Sequence, residues 1–110
     1  KVNLKNKEYN TRLTLDGIMR IEQATGKPFL KLANGLMNQD LSMTDIVVVM
    51  TQAIRGGGND FTQKQIGELL FDAGITDSMR VTAEVLSNAI TGGENEEDGK
   101  KDEALSSPTD

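Results

Sequence analysis

The stretch Gly56-Gly57-Gly58-Asn59-Asp60 is where residue types and spacing come nearest to ligand chemistry, since consecutive glycines can wrap backbone N–H groups round a phosphate. That chemistry does not follow here. The stretch comes after a helical pattern rather than a strand, and it lacks the Gly-Lys-Ser/Thr ending that would bring a lysine and a hydroxyl to a nucleotide. It reads as a helix stop and an interhelix loop. The chain also has no His and no Cys, which removes the side chain that titrates near neutral pH, the thiolate nucleophile and the commonest zinc ligands. An active site would then need a buried carboxylate pair, an activated lysine or a bound cofactor. As far as Asp77 and Glu84 the acids are scattered as single residues. The dense acidic cluster lies in a tail rich in Gly, Ser and Lys, which cannot hold the geometry that catalysis requires. The sequence therefore points to no catalytic, cofactor-binding or metal-binding residues and to a protein that is not an enzyme.

The placement of charge narrows the partners. The net charge of −5 resides in residues 92–110, where Glu94, Glu96, Glu97, Asp98, Asp102, Glu103 and Asp110 face Lys100 and Lys101. Residues 1–31 hold seven bases and three acids, and residues 32–91 hold three bases and seven acids. Neither half forms the concentrated basic face with which proteins displace counterions from phosphates, so no nucleic acid is expected. A helix-turn-helix is disfavoured too, because the loop Gly56–Phe61 is longer than the usual turn and the segment after it, Gln63–Ala73, sets Lys64 against Glu68 and Asp72. No run approaches the roughly 20 apolar residues of a membrane span. The opening Lys1-Val2-Asn3-Leu4 has no signal-peptide core, so the expected location is intracellular.

At 110 residues the chain suits one domain. Alternation predicts a β-hairpin with strands Val2–Leu4 and Glu8–Leu13, whose edge would be left open. Thr14 is placed to cap a helix over Leu15–Thr25, with Leu15, Ile18 and Ile21 on its inner face and Gly26 ending it. Pro28 suits the first position of a second helix, where Phe29, Leu32, Ala33, Leu36 and Met37 follow amphipathic spacing. Ser42 with Asp45 approximates a capping box for a third helix from Met43 to Arg55, and its Ile46–Met50 run is apolar on every side. Such a run belongs to a helix that is buried centrally or covered by a partner. Thr62 with Gln65 forms the capping box of a fourth helix lined by Ile66, Leu69, Leu70 and Ala73. Gly74-Ile75 suggests a Schellman ending with Ile75 folded back near Leu70. A fifth helix, capped by Thr76 or Asp77, would present Met79, Ala83, Leu86, Ala89 and Ile90. The expected class is mainly α: five helices and an N-terminal hairpin in residues 1–91, followed by a disordered acidic tail over 92–110.

Five methionines accompany only four aromatic residues. They can fill gaps in a core, or they can form an adaptable apolar surface for helical partners. The second helix and the all-round apolar run supply the candidates for partner binding: Phe29, Leu36, Met37, Met43, Val47, Val48 and Met50. The same run, the open hairpin edge and the opposed charge halves also predict a homo-oligomer.

Three segments carry a resemblance: Tyr9-Asn10-Thr11-Arg12-Leu13-Thr14-Leu15-Asp16-Gly17-Ile18-Met19, Ile21-Glu22-Gln23-Ala24-Thr25-Gly26-Lys27-Pro28, and the Ile46–Gly58 helix ending in Ala53-Ile54-Arg55-Gly56-Gly57. With them, residues 8–91 resemble the small tail proteins of gene transfer agents and related siphophages. Proteins of this group carry the label of tail tube protein, but their size and helical content are similar to those of phage tail assembly chaperones. The resemblance implies a protein of a phage or prophage that binds the long helical tape measure protein, and tail tube subunits as a further partner. It also implies a location in the bacterial cytoplasm and absence from the mature virion. Two rival readings are a structural tube or connector component of the particle and a host regulatory adaptor.

Such chaperones are often made in two lengths by ribosomal slippage. The adjacent Lys100-Lys101 after Gly99 would allow it if encoded GGA-AAA-AAG. Mass spectrometry of the native locus is then expected to find a longer product sharing residues 1–101; codons that break the A run would refute slippage at this site.

Overall fold

The structure is a computed structural model that describes residues 1–38 and 40–92. The expected disorder of the tail and the slippage site at Lys100-Lys101 fall outside the described residues, Gly92 apart.

Strands β1 (Val2–Leu4) and β2 (Lys7–Tyr9) pair antiparallel, with Val2 opposite Tyr9 and Leu4 opposite Lys7. Lys5 and Asn6 connect them with φ of 51° and 66°, the two left-handed residues that a type I′ hairpin turn demands. Val2 and Leu4 are buried while Asn3 is exposed, so the ribbon has one wet face. The second strand ends at Tyr9 rather than continuing to Leu13. Beyond Tyr9 the chain leaves β1 and crosses the end of the third helix, where the Arg12 N–H donates to the Ala53 carbonyl at 2.8 Å.

Helix α1 (Leu15–Thr25) starts at Thr14, whose hydroxyl accepts from the Gly17 N–H at 3.0 Å, and ends at Gly26 with φ of 71°. It buries Gly17 and Ile21 and half-buries Ile18. Leu15, expected on that face, is 75% exposed. At 100° per residue it lies about 120° round the helix from Ile21, and the buried residues Gly17 and Ile21 define the inward face, Gly17 lying against Gln52 of the third helix.

Helix α2 (Phe29–Met37) has Pro28 as its cap instead of its first residue. Glu22 of α1 supplies the missing acceptor, its carboxylate taking the Phe29 N–H at 2.8 Å.

Helix α3 (Met43–Gly56) is capped as expected, Ser42 Oγ accepting from the Asp45 N–H at 3.0 Å. It packs against α1 and the two following helices. That central position accounts for its apolar run, with Ile46, Val48, Val49, Met50, Ala53 and Ile54 all in the core.

Helix α4 (Gln63–Ala73) has the reciprocal capping box: Thr62 Oγ1 accepts from the Gln65 N–H and Gln65 Oε1 from the Thr62 N–H. Phe61, just before it, meets Tyr9 of the hairpin edge to face with centroids 6.0 Å apart.

Helix α5 (Ile75–Thr91) follows after the single residue Gly74, at φ 101° and ψ 152°. No Schellman turn forms. Ile75 opens the new helix and is exposed, and neither Thr76 nor Asp77 caps it. Instead Ser78 Oγ donates to the Leu70 carbonyl at 2.8 Å, tying the start of α5 to the end of α4. The buried face is Ser78, Val81, Thr82, Val85 and Leu86; of the residues expected inside, Ala83 and Ile90 are exposed and Met79 and Ala89 half-buried. Ser78 and Thr82 disguised that face. The Thr82 hydroxyl is itself satisfied by the Ser78 carbonyl at 2.7 Å, so both polar residues can enter an apolar core.

The hairpin is held on the helices by β1, which packs on α5 and α4, and by Arg80 of α5. Its guanidinium donates to the Asn3 carbonyl at 3.1 Å and pairs with Asp77 and Glu84 of its own helix. In a hairpin with a two-residue turn, Leu4 and Lys7 form the hydrogen-bonded pair, so the groups of Asn3 face away from β2. The β1 edge, expected to be open, is thus partly closed by a side chain.

Gly56 and Gly57 allow the closest backbone approach in the fold. A Cβ on Gly56 would lie 2.0 Å from the Arg12 carbonyl oxygen, and one on Gly57 would lie 2.1 Å from that of Asn10. Gly67 differs: a Cβ there would meet only the Val47 methyls at 3.8 Å. Gly56→Ala and Gly57→Ala are each expected to cost about 2–3 kcal/mol. Gly67→Ala is expected to stabilise by about 0.5–1 kcal/mol through helix propensity. Urea unfolding midpoints of the three variants check the contrast.

Candidate partner-binding surface

The seven residues proposed from sequence are divided by the fold. Phe29, Val48 and Met50 lie in the core. Leu36, Met43 and Val47 are half-buried and pack against it. Met37 is 82% exposed. In this conformation Val48 and Met50 offer a partner no surface, while Met37 stands fully available near the end of α2.

The outer face of α2 is built by the same sequence that buries its inner face. Phe29, Leu32 and Ala33 point inward, which turns Leu30, Asn34 and Met37 outward at i, i+4 and i+7. Leu30 is 64% exposed. On α1 the exposed pair Leu15 and Met19 stands one turn apart. The turn between α1 and α2 is fixed by polar contacts: Glu22 caps α2, and Lys27 Nζ reaches Asp45 at the start of α3 at 2.6 Å. Asp45 is the only acid buried among the described residues, and this lysine, 40% exposed itself, is its counter-ion. The two apolar outer faces are therefore held in a set relation to α3.

Sequence reasoning missed Leu30, Phe71 and Ile75, all exposed large apolar residues. A signal was present. Each is an apolar residue that falls off the stripe of its helix: Leu30 beside Phe29-Leu32-Ala33, Phe71 beside Ile66-Leu70, and Ile75 before Ser78. An apolar residue with no place in the stripe is one the fold leaves in water.

Polar chemistry is sparse on these faces. Among the described residues no set of His, Cys, Asp or Glu is arranged to hold a metal ion, and no helix is long and apolar enough to cross a membrane.

A small mainly α domain with an N-terminal hairpin and apolar residues on its outer helical faces is the class that this fold defines. The chain belongs to the family described as phage tail tube protein, GTA-gp10, whose model matches residues 1–92. No curated protein and no solved structure gave a significant match. The relation to small tail proteins of gene transfer agents and phages, expected from the Tyr9–Met19, Ile21–Pro28 and Ile46–Gly58 segments, is borne out.

Because the outer apolar residues lie off the core, Leu30→Gln and Met37→Gln should each change unfolding free energy by no more than about 0.5 kcal/mol. Leu32→Ala, on the inward face of the same helix, should cost about 2–5 kcal/mol. Chemical denaturation of the three variants separates surface from core.

Proposed function

We propose that the protein is a phage tail assembly chaperone that acts without chemistry. It binds the tape measure protein of its own tail, keeps that protein soluble while tube subunits polymerise round it, and then departs. The observation that carries this reading is the pairing of a tail-protein family with large apolar side chains exposed on the outer faces of α1 and α2. A long helical tape measure exposes apolar stripes of its own. Helices dock on such stripes through side chains spaced i, i+4 and i+7, the spacing of Leu30, Asn34 and Met37. Met19 and Met37 add flexible side chains that can adapt to the surface of a helical partner.

A second reading, a structural component of the tail, is favoured by the description of the family itself. A tube of stacked rings needs a substantial sheet to close each ring. Among the described residues the sheet consists of two strands of three residues each, which supports the chaperone reading.

Co-expression with the tape measure protein of the same tail is expected to yield a soluble complex, and Leu30→Gln with Met37→Gln together to weaken it about tenfold or more. Purified particles are expected to lack the protein by mass spectrometry. Stoichiometric recovery from particles, with no complex in the co-expression, would establish the structural role instead.

A further inference from the structure

We propose that two copies of this chain pair through the outer face of α4, antiparallel, about a twofold axis level with Leu69. Lys64, Gly67, Glu68, Phe71 and Asp72 line one shallow depression of about 630 Å³ on that face. Within it Phe71 is 74% exposed, a large ring with no counterpart in its own fold. One turn earlier, Gly67 leaves a notch whose floor is Val47 of α3, with methyls 3.8 Å from where a Cβ would stand. Knob and notch thus lie on the same helical face four residues apart.

A twofold interface must be complementary to itself, so a patch that carries both a projection and the hollow to receive it is the form it requires. Setting the axis midway between Gly67 and Phe71 places the Phe71 ring of each copy over the Gly67 notch of the other. The charges then agree. Lys64 stands toward the start of α4 and Asp72 toward its end, so antiparallel pairing brings Lys64 of one copy beside Asp72 of the other at both ends of the contact. A parallel arrangement would set like against like. Glu68 stands one residue from the level of the axis in each copy, so the two carboxylates approach one another there, and Glu68→Gln should tighten the pairing by removing that repulsion. This surface differs from the grounds for self-association that the sequence offered: Val48–Met50 are inside the core and the β1 edge is engaged by Arg80. It also does not depend on the chaperone reading, because α1 and α2 take no part in it.

One helical face is a small interface, so the pairing should be reversible and concentration-dependent. Sedimentation velocity of the full chain across a wide concentration range, at low salt, is expected to show a monomer–dimer equilibrium. Phe71→Gln should weaken it about tenfold or more. Gly67→Ala supplies a readout that a structural role alone would not give: filling the notch should weaken the dimer while raising the melting temperature of the monomer. Lys64→Glu and Asp72→Lys should each weaken association, and the two together should restore it. A strict monomer at the highest concentration, or a dimer indifferent to Phe71→Gln and Gly67→Ala, would overturn the proposal. Recovery of the tape measure complex by the Phe71→Gln variant keeps this test separate from that of the chaperone function.

Discussion

The fold depends on one backbone crossing. Asn10–Arg12 runs across the C-terminal end of α3 with the Arg12 N–H on the Ala53 carbonyl and with two carbonyl oxygens where the Cβ atoms of Gly56 and Gly57 would otherwise stand. The Ala53 carbonyl also accepts from the Gly57 N–H at 3.1 Å, so the crossing takes up its second lone pair. Asn59 joins the same junction, its side-chain amide donating to the carbonyls of both Asn10 and Ile54 at 3.1 Å. Three separate stretches of chain, the exit of the hairpin, the end of α3 and the start of the loop to α4, are thereby locked at one point. Because Leu13 and Thr14 follow at once, the crossing also fixes where α1 begins. It equally fixes the direction in which the hairpin, with Tyr9 on Phe61, lies over α4 and α5.

From that junction the core is assembled round α3, whose burial on several sides required residues that a two-faced helix would not tolerate. Val48, Val49, Met50, Ala53 and Ile54 occupy successive angles of the helix, and Thr51 joins them because its hydroxyl returns to the Val47 carbonyl at 2.7 Å. The same device lets Ser78 and Thr82 into the buried face of α5. Hydroxyls whose hydrogen bonds close within or between adjacent turns cost little on burial. They also allow closer packing than larger apolar side chains would. The Lys27–Asp45 pair does comparable work at the α2–α3 side, where α2 is oriented by Glu22 and by this ion pair rather than by a cap of its own.

The parts of the fold that were legible in the sequence are those governed by local chemistry. Thr14, Ser42 and the Thr62–Gln65 box announce helix starts by hydrogen bonds within four residues, and each of those bonds is present. What was not legible depends on neighbours distant in sequence. Nothing near Pro28 reveals that Glu22 will cap α2, and nothing near Gly74 reveals that the chain will turn straight into α5 with Ser78 donating to the Leu70 carbonyl. The face of α5 was misassigned because hydropathy counts Ser and Thr as outward residues, whereas their partners decide the matter. Leu15 was placed inside because its spacing to Ile18 is helical. Its angle from Ile21 is what matters once Gly17 and Ile21 are the residues turned inward. The second strand was drawn too long for a related reason: alternation continues to Leu13, but the crossing withdraws the chain from its partner strand after Tyr9.

The division of labour among apolar residues follows from this geometry. A helix has room for about three inward positions in every seven, so α1, α2 and α4 must each leave any further large apolar residue outside. Leu30, Met37 and Phe71 are such residues, and polar substitutes at those positions would serve folding equally well. Their presence is therefore a matter of surface rather than of core. The fold also separates them: α1 and α4 pack on α3 through their inner faces, so the outward faces of α1 and α4 are distinct surfaces, with the α2 face attached to α1 through the Lys27–Asp45 turn. A domain of this kind can cover an apolar helix on one surface while meeting its own copy on another. Since the two sets share no residue, a substitution on one surface leaves the other intact.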